Sequence, residues 1–119
     1  MKKRINSFKA AITGVGEGLI SQWNMRFHLM ATCIVIVFAF YFRVSTTEWC
    51  TLLLCCALVI SFELVNTAIE KLCDYIQPEK DEKIRIIKDI SAAAVLVSAV
   101  IAAVIGVIVF YPKVMGVFV

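Results

Sequence analysis

The chain is predicted to be an all-α integral membrane protein, with three transmembrane helices and an N-terminal amphipathic surface helix, assembled as an oligomeric helix bundle. Three observations predict the membrane fold. Hydrophobic residues make up 61% of the 119 positions and the mean hydropathy is +0.90, too apolar for an ordinary soluble domain. Apolar runs near the roughly 20 residues that a helix needs to cross hydrocarbon recur three times. Ten of the twelve Lys and Arg residues fall on one side of those runs, the bias that marks a cytoplasmic face. The length fits a single membrane domain, residues 1–119. Helices satisfy their own backbone hydrogen bonds in lipid, and the alternating segments of a β-barrel are missing from the sequence.

The first element, about residues 5–23, places Ile5, Phe8, Ile12, Val15 and Leu19 at helical spacing. Lys2, Lys3, Arg4 and Lys9 add attraction to anionic headgroups, so the segment reads as a helix lying on the inner surface. Gly14, Gly16 and Gly18 each weaken that helix by ~1 kcal/mol relative to alanine. The sharper alternative is a glycine-rich phosphate loop, but no G-x-x-x-x-G-K-[ST] pattern stands in the chain.

The first span, about 25–42, opens with Arg26 and His28, and Arg26 can snorkel to the headgroups. The second, about 49–72, carries Glu63, Asn66 and Glu70. The third, about 90–111, has no charge. Between them, Pro78 followed by acidic residues is expected to open a helix. Only Arg43 and Lys113 lie on the far side, which puts the N-terminus in the cytoplasm. Trp23 and Tyr75 mark the inner boundary, and Tyr41, Trp49 and Tyr111 the outer one. The first apolar run starts late and lacks a small-residue cleavage site, so it is expected to stay as an anchor. The five cysteines make no C-x-x-C pair and read as small hydrophobes.

Chemistry concentrates on the second span. Glu63, Asn66, Glu70 and Asp74 recur at steps of three and four, within a stripe roughly 80° wide. Glu63 lies about 10 Å deeper than Glu70 at the helical rise. A carboxylate at that depth costs on the order of 3 kcal/mol on insertion scales, so it must face a wet cavity, the bundle interior or a subunit contact. The bland reading is interhelical glue, but two carboxylates and an asparagine exceed what glue requires. Lys88 and Asp89 stand just before the third span, at the level of Glu70 and Asp74. Lysines suit phosphates. Mg²⁺ takes one or two carboxylates and completes its shell with water and phosphate oxygens. Phosphoryl transfer is mainly positioning and charge neutralisation, so this inventory suffices for it.

These residues resemble the bacterial diacylglycerol kinase family, which includes undecaprenol kinases. Glu63-Leu64-Val65-Asn66-Thr67-Ala68-Ile69-Glu70 with Asp74 is similar to its signature. Lys88-Asp89 with Ala92-Ala93-Ala94-Val95-Leu96 is similar to its second block. The resemblance implies a homotrimer that phosphorylates a lipid hydroxyl with ATP at the cytoplasmic surface of the bacterial inner membrane. It implies Glu63 as general base, Glu70 as metal and nucleotide ligand with Mg²⁺, and Asn66 and Asp74 in support. Glu79, Lys80, Asp81, Lys88 and Asp89 would line the nucleotide. The chain departs from the family at Gln22, where an acidic metal ligand is usual, at Asp81, where members carry histidine, and at Ala92, where they carry a hydroxyl. Asn24-Met25-Arg26 with His28 is more similar to the undecaprenol kinase branch.

The expected activity is therefore a membrane lipid kinase making phosphatidic acid from diacylglycerol, with undecaprenol as the alternative acceptor. The competing class is a non-enzymatic membrane subunit or small ion or proton transporter. A proton path needs polar groups reaching the outer side, and the third span offers only Ser91 and Ser98 and the outer half of span two only Thr51. A purely structural bundle leaves Lys88-Asp89 unexplained. The partners expected are ATP, a membrane lipid alcohol and further copies of the chain, with no nucleic acid. Ala92, Ala99, Ala103 and Gly106 give the third span a side that permits close helix contact. One subunit is expected to be too small to shield the acidic stripe.

Overall fold

The computed structural model describes the backbone of residues 1–118 and side chains to residue 116. It has four helices: α1 (Lys2–Ser21), α2 (Trp23–Tyr41), α3 (Thr46–Ile76) and α4 (Glu82–Phe118). Helices α2, α3 and α4 are each long and apolar enough to cross a membrane.

The surface helix and first span differ slightly from their expected limits. Helix α1 runs from Lys2 to Ser21 rather than 5 to 23, and α2 opens at Trp23 rather than 25. All three glycines of the segment lie inside α1, none with positive φ, so it forms a helix and not a phosphate loop. Gln22 alone separates the two helices. Its backbone is extended, at φ −128° and ψ 121°, and its N–H donates to the Gly18 carbonyl at 3.2 Å. A single residue therefore turns the chain from α1 into the span. Ile5, Phe8, Ile12 and Val15 stay exposed along α1, an apolar stripe left for lipid. Gly18 is the exception. It is buried against α3, and a Cβ there would come within 2.8 Å of Leu64 Cδ2.

Helix α3 has 31 residues and α4 has 37, or about 46 and 55 Å at the helical rise. Both exceed the roughly 30 Å of hydrocarbon and project beyond it. Each is longer than the expected spans of 49–72 and 90–111. Ser45 and Glu48 start α3 with a reciprocal capping box, at 3.1 and 2.9 Å, which satisfies two otherwise orphaned N–H groups. The start expected at Pro78 is corrected: Pro78 lies in the linker and α4 opens at Glu82. The physical reason is Asp81, whose Oδ1 accepts from the N–H groups of Lys83 and Ile84 at 2.9 and 3.1 Å.

Helix α3 packs against both α4 and α2. The subunit measures 56 × 43 × 21 Å, so its thinnest dimension is about two helix diameters. At the end away from α1, Ala39, Val44, Leu52 and Val109 form an apolar core with Trp49 and Phe110 packed against it. Lys113 and Glu48 pair at 3.2 Å there, joining the end of α4 to the start of α3. The opposite end holds Gln22, Glu70, Asp74 and Lys88.

Candidate active site

The deep part of the site is built on α3. Its helical period sends Glu63, Asn66 and Thr67 inward, and they are 1%, 5% and 4% exposed. A single subunit thus buries the deeper half of the acidic stripe, Glu63 and Asn66, while Glu70 is half-buried and Asp74 stays exposed. The reason is that α3 packs against both α4 and α2. Ser91 of α4 donates to Asn66 Oδ1 at 2.7 Å, and both residues are buried. Thr67 donates to the Glu63 carbonyl, inside its own helix. Glu63 itself has an oxygen, Oε1, that is buried without a hydrogen-bond partner. Its other oxygen lies 3.7 Å from His28 Nε2 on α2. Such a carboxylate is costly to hold.

Two turns along α3, Glu70 is half-buried and meets the break between α1 and α2. Gln22 Nε2 donates to Glu70 Oε2 at 3.0 Å, across 48 residues of sequence. The structure therefore brings together the two residues singled out as a metal pair. Gln22 is held there because its backbone cannot join either helix and its side chain leaves the break toward α3. Among the described residues, no cluster of three or more His, Cys, Asp or Glu side chains could hold a metal. One carboxylate beside an amide still fits a cation that draws most of its shell from water and phosphate.

The third part is a cleft of about 670 Å³ between the end of α3 and the start of α4. Asp74, Glu79, Lys80, Asp81, Lys88 and Asp89 all line it, but Glu70 does not. Lys88 Nζ bonds Asp74 Oδ1 at 2.5 Å. Lys88 therefore pairs with Asp74 and not with Asp89. Asp89 instead accepts from Arg85 at 2.7 Å, and Arg85 also pairs with Glu82. The helical period accounts for it: residues 85 and 89 stack on one face of α4, while Lys88 faces α3. Asp81 lines the cleft with one oxygen already committed to the helix cap.

Three side chains escaped the sequence reading. Arg85 reads as one more loop charge until the start of α4 is known. Ser91 is weighed only as a possible step in a proton path. His28 is noted for a resemblance and not for a contact. In each case the partner lies on another element or depends on where a helix begins. The end away from α1 carries the apolar core instead, beside the Lys113–Glu48 pair.

A buried carboxylate, a carboxylate–amide pair near the end of the span and a lysine-bearing cleft beyond it define a membrane-embedded phosphotransferase with a one-sided site. The family described as prokaryotic diacylglycerol kinase matches residues 9–110, and the chain belongs to that family. It is 35% identical over 113 residues to an undecaprenol kinase of Bacillus subtilis, covering 95% of this chain and 92% of that one. It is 34% identical over 101 residues to a diacylglycerol kinase of Synechocystis, covering 84% of this chain and 58% of the relative. A diacylglycerol kinase of Haemophilus influenzae is 28% identical over 108 residues, covering 90% and 92%. The chain is an enzyme, an ATP-dependent lipid kinase of the membrane.

Proposed function

We propose that the chain transfers the γ-phosphate of ATP to the hydroxyl of diacylglycerol at the cytoplasmic face of the bacterial inner membrane, with its N-terminus in the cytoplasm. The observation that carries the reading is the unpartnered, buried Oε1 of Glu63 beneath the Gln22–Glu70 pair. An acyl lipid presents its alcohol just inside the boundary, and ATP arrives from water. Glu63 takes the hydroxyl proton. The freed oxygen forms a bond to the γ-phosphorus, the bond from that phosphorus to the bridging oxygen breaks, and ADP leaves with the electron pair. Lys88, held by Asp74, faces the phosphates, and Glu79, Lys80, Asp81 and Asp89 border them. Glu70 would hold Mg²⁺, with the Gln22 amide beside it. When bound, the ion supplies charge neutralisation to the phosphate oxygens.

Undecaprenol is the second reading, favoured by the 35% identity to the Bacillus undecaprenol kinase across 95% of this chain. Both acceptors share the chemistry of a primary alcohol at the membrane boundary. Functional assembly as a homotrimer belongs to the same proposal. Most of the surface of all three spans faces outward from the subunit, and α4 presents Ala103 and Gly106 beside a gap of about 390 Å³ between α2 and α4.

Purified protein in lipid, given labelled ATP and Mg²⁺ with diacylglycerol or undecaprenol separately, tests the proposal. Label in phosphatidic acid is the expected result. Label only in undecaprenyl phosphate selects the second acceptor. Label in neither lipid overturns both.

A further inference from the structure

We propose that His28 is the positioning residue for Glu63, holding one carboxylate oxygen so that the other faces the acceptor hydroxyl. The inference rests on the reading of Glu63 as general base. Glu63 is the most deeply buried charged side chain described, and its Oε1 has no hydrogen-bond partner. Three groups bear on it: His28, the Asn66 amide and, at longer range, Glu70. Asn66 Oδ1 accepts from Ser91, which leaves the Asn66 amide nitrogen on the same helix as Glu63, and Glu70 is tied to Gln22. Among the described residues, His28 is the one from another helix that brings a ring nitrogen near the carboxylate, Nε2 to Oε2 at 3.7 Å.

That distance is longer than a hydrogen bond and short enough to close by a small side-chain rotation. Such contacts commonly tighten only when substrate is bound. The imidazole is itself located. Its side chain is 17% exposed and packs edge-on against Phe27, with ring centroids 5.6 Å apart. It also borders the gap between α2 and α4 that Ala99, Ala103 and Gly106 line. His28 thus stands between the buried carboxylate and that gap. When Glu63 takes the hydroxyl proton on Oε1, a bond from His28 Nε2–H to Oε2 keeps the carboxyl from rotating. The proton comes from the lipid alcohol and stays on Glu63, and His28 gains and loses none.

The plain alternative is that His28 and Glu63 only join α2 to α3. Turnover of His28→Phe, His28→Gln, Glu63→Gln and His28→Phe/Glu63→Gln in lipid separates the two, with the melting temperature and the KM for ATP measured on each. Phe keeps the ring and removes the N–H, while Gln restores an N–H donor. Positioning predicts that His28→Phe lowers kcat on the order of tenfold, a part of the ~100-fold scale of a general base. The KM for ATP and the melting temperature should stay unchanged. His28→Gln should recover most of the rate, and His28→Phe should cost nothing more in the Glu63→Gln background. A wild-type kcat for His28→Phe, or an undiminished loss in the Glu63→Gln background, overturns the inference and leaves the base intact. Wild-type turnover by Glu63→Gln overturns the base reading itself.

Discussion

Gln22 and Glu70 meet across 48 residues of sequence, amide nitrogen to carboxylate oxygen, at 3.0 Å. The contact joins the break between α1 and α2 to the end of the span that carries the acids. It also sets the charge of the proposed cation site at one carboxylate.

Gln22→Glu replaces the N–H donor with a second carboxylate beside Glu70. Two carboxylates at this separation repel unless a cation lies between them. The variant should therefore reach half-maximal rate at lower Mg²⁺, and should melt lower than the parent in EDTA but not in Mg²⁺. Activity titrations and melting curves at both extremes check this. An unchanged Mg²⁺ midpoint would remove Gln22 from the cation site.

Glu70→Gln keeps the volume, removes the charge and can still bond Gln22. Turnover should fall by at least ~100-fold at saturating Mg²⁺ with little change in folding, since positioning and neutralisation supply most of phosphoryl transfer. A wild-type rate would show that Glu70 holds no cation.

The Asp74–Lys88 pair divides the cleft between charge and aim. Lys88→Ala should raise the KM for ATP or collapse kcat while leaving the KM for lipid alone. Asp74→Asn keeps the lysine but frees it, and should give a smaller effect in the same direction. Asp89→Asn should act by releasing Arg85 rather than Lys88, so its effect should vanish in an Arg85→Ala background. ATP titrations of these variants decide the assignments, and equal effects from Asp74→Asn and Asp89→Asn would contradict them.

Ser91→Ala leaves Asn66 Oδ1 without its donor in a buried site. The cost should be about 1–2 kcal/mol, the scale of a hydrogen bond between membrane helices. Ser98 is the control: it donates only to the Val95 carbonyl of its own helix, and Ser98→Ala should be near neutral. Unfolding in a denaturing detergent series gives both values.

Crosslinking and native mass measurement in mild detergent should show a homotrimer. A stable, fully active monomer would reject it. Since one subunit already buries Glu63, the case for assembly rests on the resemblance and on the outward-facing surface of the spans, not on shielding of that acid.

The sequence by itself determined the class of fold and the helix that carries the acids. Both follow from local quantities. Twenty apolar residues in lipid leave the backbone no option but a helix, and a helical period puts Glu63, Asn66, Glu70 and Asp74 on one stripe whatever the stripe faces. The family signature adds their chemistry. Tertiary structure decided the pairings. Gln22 meets Glu70, Ser91 meets Asn66, His28 approaches Glu63, and Lys88 takes Asp74 in place of Asp89. Each pairing depends on how α1, α2 and α4 are placed against α3, and on where α4 begins. That start was set by one carboxylate oxygen of Asp81 capping two N–H groups, a contact that periodicity does not encode. Burial of Glu63 within one subunit was likewise decided by the fit of two neighbouring helices, because packing depends on shape across elements rather than on composition along one.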